Sequence, residues 1–446
     1  MSTDKASRAA TFGELFAIPA YRYLLVANVL SWLGDYVAKA AITTLVFHST
    51  GSVGLSALAF GITYLPWLVG GPLLASIAER RPYRSVMVGC DLVRALLMAL
   101  LAVPGLPVGL ILVLVFVAEL ASPPFQAARS ALLPQILKQD RYVVGVSLQA
   151  SSGQAAQVAG YAIGALLAVS SPRAALIANS LTFVVSATLL RLGLGTQGSV
   201  AASSGAIQHL GRDTMDGFRV VFGSPVLRAV AVLVFSVMLF ASVPEGLAAA
   251  WAVEVSESRA DLGWIQGAIM MAGPLGFILG GLVVGRLVRP DLRRQLVQPF
   301  SVLAPLALVP AFADPPAALL VTMCAVCGFS VAGMMPAANG LFVQALPPDY
   351  RARAFGVMQG GVQLAQGVGL VATGTLADRY GVSTVVGGWS VAGALLLVLI
   401  WLRWPRLPHA AHAIADKDLV SSGRSAGGQL QAPPTRTRKT RAARGT

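Results

Sequence analysis

The sequence predicts an all-α integral membrane protein of about twelve transmembrane helices in two pseudo-symmetric six-helix bundles. Composition, long apolar runs and an internal repeat carry that expectation. The 446 residues are 56% hydrophobic and only 12% charged, with a mean hydropathy of +0.71. A water-soluble domain carries about 25% charged residues, so this chain lacks the polar material to cover a surface facing water.

Crossing the hydrocarbon layer takes about 20 mostly apolar residues. Such runs fall at 22–46, 52–77, 86–104, 107–133, 143–169 and 173–192. Six more follow at 226–252, 261–286, 297–313, 316–345, 353–376 and 382–403. The chain therefore divides into an N-terminal segment (1–20), a first bundle (21–195), a linker (196–224), a second bundle (225–405) and a basic tail (406–446). The polar linker holds Gln208, His209, Arg212, Asp213, Asp216 and Arg219. The tail is rich in Lys, Arg, Ser, Gly, Pro and Thr, a composition expected to be disordered and to meet anionic headgroups. Residues 1–20 mix polar and apolar side chains and lead directly into the first span, so no cleavable signal peptide is expected.

Lys and Arg in short loops set orientation. With the N-terminus inside, the inner loops hold Arg80, Arg81, Arg84, Lys138, Arg141, Arg191, Arg212, Arg219, Arg228, Arg286, Arg289, Arg293, Arg294, Arg351 and Arg353. The outer loops then hold Arg173, Arg259 and Arg379. Both termini are expected in the cytoplasm, and the cell (plasma or inner) membrane is the expected location. This placement also explains the net charge of +14 without nucleic acid, for which no basic, aromatic-interleaved domain is present.

Sliding the chain by 210 residues pairs Gly70 with Gly280, Gly71 with Gly281 and Arg84 with Arg294. It also pairs Ala127 with Ala337, Arg141 with Arg351, Gln149 with Gln359 and Gly164 with Gly374. Matches in this order through both halves indicate a duplicated six-helix unit. Its even helix number makes the copies parallel, related by an axis along the membrane normal.

These features resemble the major facilitator superfamily. That family's loop between spans two and three carries a motif like G-x-L-A-D-R-x-G-R-R, and the corresponding stretch runs from Ala75 through Glu79, Arg80, Arg81 and Pro82 to Arg84. It departs from the pattern at Ala75, Glu79 and Pro82. Asp91 and Arg94 resemble the D-L-x-R-A opening of span three. The resemblance implies that Glu79, Arg80, Arg84, Asp91 and Arg94 form a latch between the halves in one conformation. Further stretches are similar to a bacterial efflux branch that includes enterobactin exporters and macrolide efflux proteins. These are Ser31-Trp32-Leu33-Gly34-Asp35, the run from Ala127 to Pro134, and Met215 to Arg219 followed by Pro225 to Arg228. The antiporter signature of span five survives only as Gly160-Tyr161-Ala162-Ile163-Gly164-Ala165. The resemblance implies a monomeric transporter working by alternating access.

Charges inside a bilayer are the sharpest functional signal, since one at the centre costs about 2.5–3.5 kcal/mol on insertion scales. Asn28, Ser31, Asp35 and Lys39 form one face of span one, with Asp35 near mid-depth. Glu119, Ser122, Gln126 and Arg129 repeat the pattern in span four. Burial penalises the charged form of a carboxylate, so such a group can take a proton on one side and lose it on the other. Asp35, Glu119 and Glu245 are accordingly the proton-coupling candidates; a structural Asp35–Lys39 pair and direct substrate binding are the alternatives. The cavity-lining candidates are Asn28, Ser31, Lys39, Ser122, Gln126, Gln154, Gln157, Tyr161, Gln359, Gln363 and Gln366, with helix–helix hydrogen bonding as the alternative.

Trp32, Tyr36, Tyr64, Trp67, Trp251 and Trp264 read individually as interfacial anchors rather than substrate contacts. Gly276 and Gly280 read as a close helix contact. Cys324 and Cys327 lie inside an apolar run with no second ligand pair, which favours packing over redox or metal chemistry. No HExxH, nucleophile elbow, phosphate loop or zinc-ligand cluster is present, which argues against an enzyme. With no Walker motif, an ion gradient is the expected energy source, with no cofactor and no metal. The leading expectation is proton antiport exporting small amphipathic or drug-like molecules, a siderophore or antibiotic among them. Solute uptake, and a membrane sensor or assembly factor on the same fold, are the alternatives.

Overall fold

A computed structural model describes residues 11–67, 81–138, 140–195, 206–258, 261–347 and 350–404, and among them the regular structure is helical. After a short α1 (Phe12–Phe16), the first half comprises α2 (Pro19–Thr50), α3 (Val53–Gly61), α4 (Tyr83–Leu101), α5 (Val108–Glu119), α6 (Ser122–Ile136), α7 (Asp140–Ser170) and α8 (Pro172–Gly193). Within the segment read as a linker, α9 spans Ala206–Gly223. The second half comprises α10 (Pro225–Ala241), α11 (Val243–Val255), α12 (Leu262–Leu287), α13 (Pro290–Leu306), α14 (Ala317–Ala345), α15 (Arg351–Tyr380) and α16 (Val382–Leu402).

Among the described residues, eight helical stretches are long and apolar enough to cross a membrane by length and composition. The helices α4, α7 and α15 fall outside that set. They carry the buried Asp91, Arg94 and Gln149 and the amides of α15, which lower their mean hydropathy. Asp91, Arg94 and Gln149 face protein, so those side chains are supported by neighbours rather than by lipid. The outward faces are apolar: Leu96, Leu181, Leu279 and Leu395 are each more than half exposed. Such a surface suits hydrocarbon and not water.

Proline breaks two of the spans. Pro123 and Pro124 lack the N–H groups that would bond the carbonyls of Glu119 and Leu120, and the span divides there into α5 and α6. Pro244 does the same to Phe240, and the break between α10 and α11 falls at Ser242. The Ser242 hydroxyl donates to the Met238 carbonyl at 2.8 Å, occupying an acceptor near the break. Glu119 ends one broken segment and Glu245 lies in the first turn of another.

In the first half α2 packs on α7, α8 and α3, and α4 on α8, α6 and α5. In the second, α12 packs on α14 and α11, α13 on α14 and α16, and α10 on α15, α14 and α16. Gly276 and Gly280 of α12 face the Ala325 and Phe329 carbonyls of α14, where a side chain would find no room. The halves meet where α7 packs on α12 and α3 on α15.

Specific polar contacts join the halves at the end of the molecule where α2 finishes and α3 begins. Asp378, near the end of α15, accepts from the Val53 and Gly54 amides at 2.6 and 3.1 Å and from the Ser52 hydroxyl at 2.9 Å. A carboxylate on exposed amides at a helix N-terminus is favoured by charge and by hydrogen bonding together. Deeper in, Thr44 donates to Gln266 Oε1 at 3.0 Å, and the Gln266 amide reaches the Ala40 carbonyl at 3.4 Å.

Candidate functional site

The first half holds two apolar clusters with a polar layer between them. One contains Tyr21, Leu24, Met87, Phe125 and Leu190; the other contains Val37, Ala41, Met98, Val115 and Phe183. Between them, Arg94 Nη2 lies 2.6 Å from Asp35 Oδ1, and the arginine side chain is 4% exposed. Its guanidinium also stacks 4.2 Å from the Phe183 ring centre. One turn earlier on α4, the fully buried Asp91 accepts from the Ser186 hydroxyl at 2.6 Å.

One of these contacts decides against the alternative of an Asp35–Lys39 pair. Asp35 pairs with Arg94, not with Lys39, because α4 places its guanidinium against α2. The Lys39 ammonium instead lies 5.3–5.7 Å from the ring centres of Tyr36, Phe60 and Tyr64. An ammonium facing several aromatic rings is stabilised by their quadrupoles. In this conformation the described members of the expected latch bond within the first half. Asp91 and Arg94 bond Ser186 and Asp35, and Arg84 donates to the Leu194 carbonyl at 3.0 Å, all within the first half. Glu79 and Arg80 lie outside the described residues.

A cavity of about 310 Å³ opens beside this layer. Its walls include Asp35, Lys39 and Arg94, with Glu119, Ser122 and Gln126 from the broken fourth span. Ser31, Thr63, Gln157, Tyr161, Glu245, Gln363 and Gln366 add to its polar lining. Glu119 accepts from Ser122 at 3.0 Å, and Glu245 Oε2 accepts from the Tyr161 hydroxyl at 2.8 Å, a bond between the two halves. Tyr161 lies between Gly160 and Gly164, which pack α7 against α2. A side chain at either would meet α2 backbone at 2.8 Å, at Leu33 or Val37, so only glycine lets α7 come close enough. Tyr161 then packs edge-on against Tyr36, with ring centres 5.0 Å apart.

A second cavity of about 220 Å³ lies between α10–α11, α12 and α14 and shares Gln157, Glu245 and Gln366 with the first. Gln154 lines this one. Two candidates line neither: Asn28 is fully buried, and Gln359 is exposed. Trp32, Tyr36, Tyr64 and Trp67 line the larger cavity instead of anchoring at an interface. Trp251 is fully buried and donates to the Ser383 hydroxyl at 3.1 Å. Among the described residues, no cluster of His, Cys, Asp and Glu has the makings of a metal site. Gln266, Asp378 and the partnership of Arg94 with Asp35 went unread in the sequence, since each joins helices far apart in the chain.

The Major Facilitator Superfamily model matches residues 24–313 and 246–439. Macrolide efflux protein A of Streptococcus pyogenes is 21% identical over 394 residues, covering 85% of this chain and 94% of that protein. The multidrug efflux pump Tap of Mycolicibacterium fortuitum is 25% identical over 399 residues, covering 86% and 95%. Among solved structures, a POT family transporter in complex with 5-aminolevulinic acid aligns with a TM-score of 0.71 at 12% identity, covering 89% of this chain and 98% of that one. A bacterial homologue of the human lysosomal transporter Spinster, inward-facing and unoccupied, aligns at 0.66 and 12% identity, covering 86% and 95%. With its all-helical, membrane-spanning architecture and central ionisable cavity, the chain belongs to the Major Facilitator Superfamily.

Proposed function

We propose that the protein is a proton-coupled exporter of small amphipathic or drug-like molecules in the cell membrane. The observation that carries this reading is the shared cavity, which gathers Asp35, Glu119 and Glu245 from three separate spans. Asp35 is committed to Arg94. Among the described residues, Glu119 and Glu245 have hydroxyl partners and no ion pair within 4 Å, so each can exchange a proton without breaking a salt bridge. Glu245 is bonded across the halves to Tyr161, so its proton exchange would alter a contact that rocking of the halves must make and break. Export, rather than uptake, is favoured by the similarity to the macrolide and multidrug efflux relatives. With both termini cytoplasmic, the end closed by Asp378 is external, a state in which an exporter loads from within. The protein would then act as a monomer, with no cofactor beyond the gradient.

A compound-susceptibility and accumulation panel in an efflux-deficient bacterial host tests this. The wild type is compared with Asp35→Asn, Glu119→Gln and Glu245→Gln at matched membrane levels. The expected result is resistance with lowered accumulation, abolished by a protonophore and by Glu119→Gln or Glu245→Gln. Unchanged accumulation of every compound, with wild-type protein in the membrane, refutes export and makes solute uptake the next reading.

A further inference from the structure

Three helices of the first half bring unpartnered polar atoms to one depth, on residues that line neither cavity. Arg129 of α6 holds its guanidinium carbon 5.0 Å from the Trp32 ring centre, and Gly153 of α7 backs onto the same ring. One turn before Trp32 on α2 stands Asn28, and one turn before Gly153 on α7 stands Gln149. Asn28 is fully buried and Gln149 is 6% exposed. Asn28 Nδ2, Gln149 Nε2 and Arg129 Nη1 are buried donors without a hydrogen-bond partner; Asn28 Oδ1 and Gln126 Oε1 are buried acceptors in the same condition. Asn28, Arg129 and Gln149 appear in the lining of neither cavity. Their chain neighbours Leu24, Leu25, Phe125, Ala128 and Leu132 belong to a buried apolar cluster.

Water can satisfy such hydrogen bonds but does not balance the charge. Among the described residues Arg129 has no acidic partner within 4 Å. Asp35 is paired with Arg94, and Asp91 is bonded to Ser186. Glu119 lies ten residues away on the same broken span, about 15 Å of helical rise. A guanidinium keeps its proton in a protein, and a buried charge without a counterion is the costly case.

We propose that a small inorganic anion of halide size, chloride in a cell, binds between α2, α6 and α7. Arg129 supplies the charge, and the amides of Asn28 and Gln149 supply the further donors. The Trp32 ring holds the guanidinium plane. Full burial of Asn28 among packed helices restricts the occupant to a small ion. The remaining N–H groups of Arg129 are available to the oxygens of Asn28 and Gln126. The site is independent of the transport reading, because binding needs no turnover.

The test uses the purified full-length protein in detergent, with sodium gluconate exchanged for sodium chloride or bromide at constant ionic strength. The unfolding temperature is expected to rise with chloride and to saturate. Arg129→Gln keeps hydrogen-bonding groups and removes the charge. It should raise the chloride midpoint about tenfold or more, as expected for loss of a charge-assisted contact. In gluconate it should unfold no earlier than the wild type, because no unbalanced charge is left at the site. Gln149→Met, which removes one neutral donor, should raise the midpoint about three- to tenfold. Bromide should quench tryptophan emission with a saturable component, lost in Trp32→Phe, whose ring keeps the chloride effect on unfolding.

Equal unfolding temperatures in chloride and gluconate at every concentration overturn the proposal and leave water as the occupant. A rise that never saturates overturns it as a general salt effect. A saturable rise that both Arg129→Gln and Gln149→Met leave unchanged places the ion elsewhere and overturns it as well.

Discussion

The pairing of Asp35 with Arg94 can be tested by a double-mutant cycle. Arg94 is 4% exposed and Asp35 16%, and the pair is separated by 2.6 Å between the apolar clusters of the first half. Replacing Asp35 by Ala strands a guanidinium whose remaining neighbours include the Phe183 ring and whose Nε has no partner. Breaking a buried pair from one side costs about 3–5 kcal/mol, because the surviving charge stays desolvated. Asp35→Asn keeps an oxygen acceptor and should cost less, about 1.5–3 kcal/mol, the worth of a hydrogen bond to a charged group. Removing both with Asp35→Ala/Arg94→Met leaves neither member of the pair as an uncompensated charge and fills much of the arginine volume. The double variant should therefore be more stable than Asp35→Ala alone. The assay is thermal unfolding of the wild type, Asp35→Ala, Arg94→Met and the double variant in one detergent, with Asp35→Asn alongside and intrinsic fluorescence as the probe. Single costs that add to within about 0.5 kcal/mol would show that the two side chains do not interact and would refute this account of the layer.

Other expectations are as direct. Asp378→Asn should speed hydrogen exchange at the Val53 and Gly54 amides by about tenfold, the equivalent of 1.4 kcal/mol, since the charge holding the start of α3 is removed. Exchange at the wild-type rate would show that Asp378 does not hold that end closed. Gly276→Ala drives a methyl into the Ala325 carbonyl and should lower stability by about 1–3 kcal/mol. Gly281→Ala, five residues on with open space around it, should change stability by no more than about 0.5 kcal/mol in thermal unfolding. Tyr161→Phe removes the hydroxyl that joins Glu245 to α7, and accumulation assays should show weakened export with little loss of protein. Unaltered export would mean the bond takes no part in the cycle.

By itself, the sequence determined the solvent and much of the architecture. Too few charges to coat a surface, and apolar runs of spanning length, leave lipid as the environment for the outer faces. Periodicity then placed Ser31, Asp35 and Lys39 on one stripe and Ser122 and Gln126 on another, and all five line the larger cavity. It could not say which stripe faces which. Asp35 and Lys39 are one turn apart, yet the counterion of Asp35 comes from α4, 59 residues away. Asn28 belongs to the same stripe as Ser31 and is fully buried outside both cavities. Tyr161 meets Glu245 across 84 residues of chain, and Asp378 reaches α3 across more than 300. A helical period states which residues share a face of one helix. The rotation and depth of each helix against its neighbours are set by packing, and those decided the ion pair, the bond across the cavity and the closed end.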